Sequence, residues 1–151
     1  MGVENCYLFE GMREEIRKKI LEAGSEESFN AGDFLFHHGD PALHLYILAE
    51  GRVRLSMGPT QLLAYVAGSP GDVVGWSSLV ENHAYTASAE CLVAVKVLKI
   101  DKPRLDQILR DNPESGMILF KHLATLIGRR LVNSYKAALS LHGERDPRSY
   151  G

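Results

Sequence analysis

Short apolar runs cut by turn signals dominate the middle of this 151-residue chain. The turns read Asn30-Ala31-Gly32-Asp33, His38-Gly39-Asp40-Pro41, Glu50-Gly51, Gly58-Pro59-Thr60 and Gly68-Ser69-Pro70-Gly71-Asp72. Between them lie Phe34-Leu35-Phe36, Leu45-Tyr46-Ile47-Leu48, Val53-Arg54-Leu55-Ser56-Met57 and Leu62-Leu63-Ala64-Tyr65-Val66. That spacing leaves no room for long helices. Many short strands joined by regular turns predict a β-sandwich or barrel. Residues 86–91 and 93–100 supply two more strands.

Helical periodicity appears only outside this region. Phe9, Met12, Ile16 and Ile20 recur at three or four and predict a helix over residues 9–23, with Gly24 as its C-cap. Its Glu14–Lys18 and Glu15–Lys19 spacings read as a solvated face. Asp101-Lys102-Pro103-Arg104 predicts an N-cap with proline in the first turn of a short helix carrying Leu105, Ile108 and Leu109. Pro113 then opens the longest element, a helix to about residue 141. Its apolar positions include Met117, Phe120, Leu123, Ala124, Ile127 and Leu131, at near-heptad steps. Ile118, Leu119, Leu126 and Val132 add a second apolar side. A helix this long outruns a small barrel. One side is expected to cover the β-structure and the other to form a homodimer seam. The domain is thus expected to span residues 1–141, with a disordered polar tail over 142–151.

The charge balance narrows the function classes. A net charge of −2 argues against a non-specific grip on nucleic acid, which needs a basic surface. Arg129-Arg130 and the later basic residues read as a solvated helix face. The two cysteines, Cys6 and Cys91, are too few for a disulfide scaffold or a four-thiolate metal site. With no leader and no apolar run near 18 residues, the expectation is a cytoplasmic protein with no membrane segment. There is no Gly-x-Ser-x-Gly, His-Glu-x-x-His or Walker loop, so no enzyme is expected. Asp33, Asp40 and Asp72 each follow a glycine and read as turn formers. His37 and His38 are neighbours on a strand and point to opposite faces, so they cannot chelate one metal together.

The run from Phe29 to Pro41, followed by Leu45-Tyr46-Ile47-Leu48 and Gly51-Arg52-Val53, resembles the front of a cyclic-nucleotide-binding domain. This is the effector domain of catabolite-activator-type regulators, kinase regulatory subunits and gated channels. Gly32, Gly39, Gly51, Gly71 and Gly75 fall on that family's glycine positions. The resemblance implies an α+β fold: an eight-stranded antiparallel β-roll flanked by an N-terminal helix and two C-terminal helices. Some relatives bind haem, which here would need His37, His44 or Cys91 to face a cavity. Regulators of this type carry a helix-turn-helix after the long helix. About ten residues follow Leu141, so a stand-alone domain without direct DNA binding is expected.

Residues 69–89, SPGDVVGWSSLVENHAYTASA, resemble the family's phosphate-binding cassette. The resemblance implies ligand contacts from Gly75, Trp76, Ser77, Ser78, Tyr85 and Thr86. Two of these depart from the family pattern. Trp76 stands where a glutamate normally accepts from the ribose, and Tyr85 where an arginine normally pairs with the cyclic phosphate. A phosphate buried without its cation loses a charge-assisted pair. Three readings follow: a cyclic nucleotide, another small anionic or planar ligand, or a pocket closed by Trp76 and Tyr85. The first two make a regulatory domain that senses a ligand and signals through its C-terminal helix. The third makes a ligand-free dimerisation or protein-interaction module.

Overall fold

The computed structural model describes residues 2–57, 63–81 and 83–143. The Gly58-Pro59-Thr60 turn, Leu62, Asn82 and the expected tail beyond residue 143 lie outside the described residues. Among the described residues, eight antiparallel strands form two four-stranded sheets. In chain order the strands are β1 (Ser25–Phe29), β2 (Phe34–Phe36), β3 (His44–Glu50), β4 (Val53–Met57), β5 (Leu63–Ala67), β6 (Val73–Val74), β7 (Ser88–Cys91) and β8 (Val95–Asp101). One sheet runs β1-β8-β3-β6 and the other β2-β7-β4-β5. Helix α1 (Glu14–Glu22) precedes the roll, and α2 (Lys102–Asp111) and α3 (Pro113–Gly143) follow it.

The first sheet is a wall between two cores. Leu45 and Ile47 of β3, with Leu98 and Ile100 of β8, face the helices. Tyr46 and Leu48, with Val95 and Val97, face the interior of the roll. This explains why residues 45–48 read as a continuous apolar run rather than an alternating one: both faces of the strand are covered. The second sheet is covered on one face only. Its inner row includes Phe36, Ala89 and Leu55, while Phe34 and Val66 remain exposed on its outer row. There Arg54 pairs with Glu90 across β4 and β7 at 2.5 Å.

The turns carry the local logic expected of them. Asp33, Asp40 and Asp72 each accept a backbone N–H from the residue three positions earlier, at 2.8, 2.9 and 3.0 Å. Gly51 (φ +107°) lies so close to β8 that a Cβ would stand 2.6 Å from the Ala94 carbonyl oxygen.

The first helix is shorter than its periodicity predicts. Phe9 and Met12 are buried with Ile16 and Ile20, but Tyr7–Phe9 is a separate 3₁₀ turn. Gly11 at φ +85° breaks the chain before α1 begins, and α1 closes on Ala23 rather than on Gly24. Helix α3 runs to Gly143, past the expected end near 141. Its first half packs: Leu119 and Leu123 are buried and Ile118, Leu126 and Ile127 half-buried against the helix-side core. Residues 131–140 are exposed on every side of the helix.

Candidate functional site

The cassette begins where β6 leaves the first sheet. Val73 and Val74 pair with Ile47 and Tyr46 of β3. The chain then turns at Gly75, whose φ of +85° favours glycine. A Cβ there would lie 3.2 Å from both the His44 carbonyl oxygen and the Tyr85 ring, and 3.3 Å from the Phe36 ring. Trp76–Leu79 follows as a single 3₁₀ turn. Ser78 commits both its donors within this turn, as its N–H and hydroxyl bond the Gly75 carbonyl at 3.1 and 2.9 Å. From α2, the Lys102 ammonium donates to the Ser78 carbonyl at 2.6 Å and also reaches that of Val80, at 3.5 Å. A cation at the C-terminal carbonyls of a helical turn meets the partial negative charge there.

Tyr85 does not point at solvent or at an open ligand site. It is 4% exposed, and its ring stacks on Phe36 with centroids 3.7 Å apart and planes at 13°. Its hydroxyl donates to the His44 carbonyl at 2.6 Å and accepts the His44 N–H at 3.1 Å. The register explains this pair. The β3–β6 pairing would continue with Trp76 opposite His44, but β6 has ended at Val74. The hydroxyl supplies both partners that the missing strand residue would have given, so His44 is not left unpaired. The backbone is held as well, by Gly39 N–H to the Tyr85 carbonyl and Tyr85 N–H to the Asp40 carbonyl, each 2.9 Å. Burial, opposed in part by the His44 bond, raises the phenol above its ordinary range.

Little space remains. The cavity bounded by Phe36, Leu55, Gly75, Ser77, Tyr85 and Thr86 has a volume of about 40 Å³. Ligand pockets commonly span roughly 300–1,000 Å³, so this one has the volume of a few water molecules and no room for a nucleotide. Larger open grooves lie outside the roll. One of about 540 Å³ runs between Val80, Lys102, Arg110 and Phe120.

The six expected contact residues therefore separate. Gly75, Ser77, Tyr85 and Thr86 meet at the residual cavity, with Thr86 exposed at its rim. Ser78 is turned into its own 3₁₀ turn. Trp76 touches the cavity but packs mainly the other way, against the helix-side core. There it meets Val73, Leu126, Ile127 and Arg130. Sequence reasoning missed Phe36, the His44 backbone, Lys102 and Arg130. Nothing local marked any of them: alternation would put Phe34 and Phe36 on one face, but a register shift between them turns Phe36 inward and leaves Phe34 outside.

The candidate haem ligands are not gathered on one cavity. His37 stacks on exposed Phe34 at 4.4 Å, His44 Nε2 faces Asp101 at 2.9 Å, and Cys91 is buried inside the roll. Among the described residues, no cluster of three or more His, Cys, Asp or Glu side chains is arranged for a metal ion. Among the same residues no helix is long and apolar enough to cross a membrane.

Residues 26–112 match the family model of the cyclic nucleotide-binding domain. A cAMP-dependent protein kinase regulatory subunit of Hypocrea atroviridis is 30% identical over 102 residues, covering 68% of this chain and 21% of its own length. A CRP-like cAMP-activated global transcriptional regulator of Mycobacterium tuberculosis is 25% identical over 126 residues, covering 81% of this chain and 55% of its own. The chain thus spans about half the length of one relative and about a fifth of the other. Among solved structures, the N-terminal domain of a transcriptional regulator from Streptomyces coelicolor A3(2) superposes with a TM-score of 0.67 at 28% identity. That match covers 91% of this chain and 96% of that one.

Proposed function

This chain belongs to the cyclic nucleotide-binding domain family, and from that premise we propose that it is a regulatory, non-enzymatic module whose nucleotide pocket is occupied by its own Tyr85. On this reading it does not sense a cyclic nucleotide. It acts as a dimerisation and protein-interaction module through α3. The observation that carries the reading is the Tyr85 side chain, stacked on Phe36 and bonded to both backbone groups of His44, with about 40 Å³ left beside it. A cyclic phosphate at this place would displace a satisfied, buried ring and would find no guanidinium to pair with.

The α3 overhang supports the second half of the proposal. Leu131, Val132, Tyr135 and Leu139 stand 49–60% exposed on a helical segment that no other described residue buries. Isolated helices shorter than about 12–15 residues are marginal in water, and helices in proteins gain most of their stability from packing. The occupant we propose is α3 of a second copy. A partner protein carrying a similar apolar helix is the alternative.

Two measurements test the reading. Thermal unfolding with and without millimolar cyclic AMP or cyclic GMP should give the same midpoint, because a ligand that does not bind the native state cannot raise it. Sedimentation equilibrium should return a dimer. A nucleotide-dependent rise in the midpoint would restore ligand sensing at the modified cassette. A monomer at all concentrations would remove the dimer.

A further inference from the structure

Trp76 and Arg130 meet in one junction between the cassette and α3. The Arg130 guanidinium donates to the Val73 carbonyl at 3.3 Å, just before the Gly75 turn. The same guanidinium lies over the Tyr65 ring of edge strand β5, 4.2 Å from its centroid, a cation–π contact. Trp76, the chain's single tryptophan, packs beside it on Leu126 and Ile127, and the void between them is only about 10 Å³. Two side chains thus tie α3 to three pieces of the roll: β5, β6 and the 3₁₀ turn. The tie sits at the last turn of α3 that the roll covers. From the next residue to residue 140, the helix is exposed on every side.

We infer that Trp76 and Arg130 form a standing clasp that holds α3 against the cassette through contacts between this chain's own residues, none of which calls for a nucleotide. The inference deepens the proposed function: Tyr85 fills the pocket, and the clasp keeps the helix in a single position. Trp76 thereby serves α3 instead of a ribose.

Hydrogen exchange on the full chain without nucleotide tests this. In the native protein, the amides of residues 119–130 should be as protected as those of β3 and β8. Trp76→Ala and Arg130→Met should each speed exchange in residues 119–130 by about tenfold or more while leaving β3 and β8 unchanged. Trp76→Phe should keep most of the protection. Three results would overturn the clasp: fast exchange of residues 119–130 in the native protein, no change in either variant, or an equal rise across β3, β8 and α3. The last would make the two side chains general supports of the fold. A parallel run with cyclic AMP separates the two claims. Nucleotide binding with unchanged protection of α3 would sink the filled-pocket reading and leave the clasp standing. Free exchange of α3 in a protein that binds no nucleotide would do the reverse.

Discussion

The Tyr85 hydroxyl holds both backbone polar groups of His44, donating to the carbonyl at 2.6 Å and accepting the N–H at 3.1 Å. A side chain thereby stands in for one residue of a strand that ended too early. Tyr85→Phe keeps the ring on Phe36 and removes only this pair. Two half-buried backbone groups then lose their partner, at a cost of about 1–3 kcal/mol. Urea unfolding of the two proteins should show that loss with an unchanged denaturant slope. An equally stable Phe variant would mean that the hydroxyl does not fasten the ring.

Tyr85→Ala removes the occupant itself. Large-to-small changes of a buried aromatic cost about 3–5 kcal/mol. The space left has a ring-shaped floor in Phe36 and a donor and acceptor at His44. p-Cresol has the matching shape and a hydroxyl of both kinds. It should raise the melting temperature of the alanine variant and leave the native protein unchanged. If p-cresol has no effect, or the same effect on both, Tyr85 does not fill a ligand-sized site.

The exposed end of α3 makes a separate prediction. Leu131→Arg together with Leu139→Arg places two charges among side chains that are about half exposed in the single chain. The roll does not touch them, so thermal stability of the monomeric fold should change little. Sedimentation should nevertheless shift from dimer to monomer. A dimer that survives both charges would place the contact elsewhere.

Stability should fall in alkali. Burial pushes the Cys6 thiol up from 9.0 to about 12 and the Cys91 thiol to about 11, while Tyr46 and Tyr85 are also raised. A raised acid binds its proton more tightly folded than unfolded. The stabilisation is therefore complete below about pH 9 and is lost as pH climbs through the folded values. Urea midpoints measured at pH 8 and pH 10 should be lower at the higher pH. A rise, or no change, would show that these groups are not withdrawn from water.

Much of the fold was legible from turn spacing alone. The glycine turns and the apolar runs located six of the eight described strands to within about two residues, because each run had to be buried on at least one face; β1, whose Ser25-Glu26-Glu27-Ser28 holds no apolar run, and the two-residue β6 escaped it. The first helix was misjudged for a physical reason. Phe9 and Met12 share the helix-facing core with Ile16 and Ile20, so burial followed the helical period although Gly11 interrupts the helix. At the cassette, the sequence revealed which residues had been exchanged but not where their rings go. Tyr85 turns inward because His44, paired with β8 on one side, lacks a partner on the β6 side. Trp76 turns outward because α3 offers Leu126 and Ile127. Both choices depend on residues 40–50 positions away in the chain, beyond the reach of a local pattern.

The central claim is that Tyr85 already occupies the nucleotide site. Isothermal titration calorimetry of the native protein with cyclic AMP and cyclic GMP tests it most directly. With Tyr85 in the site, no heat beyond dilution is expected with either nucleotide up to about 1 mM, a concentration that would reveal even a millimolar dissociation constant. Saturable binding of either nucleotide in the micromolar range would contradict it.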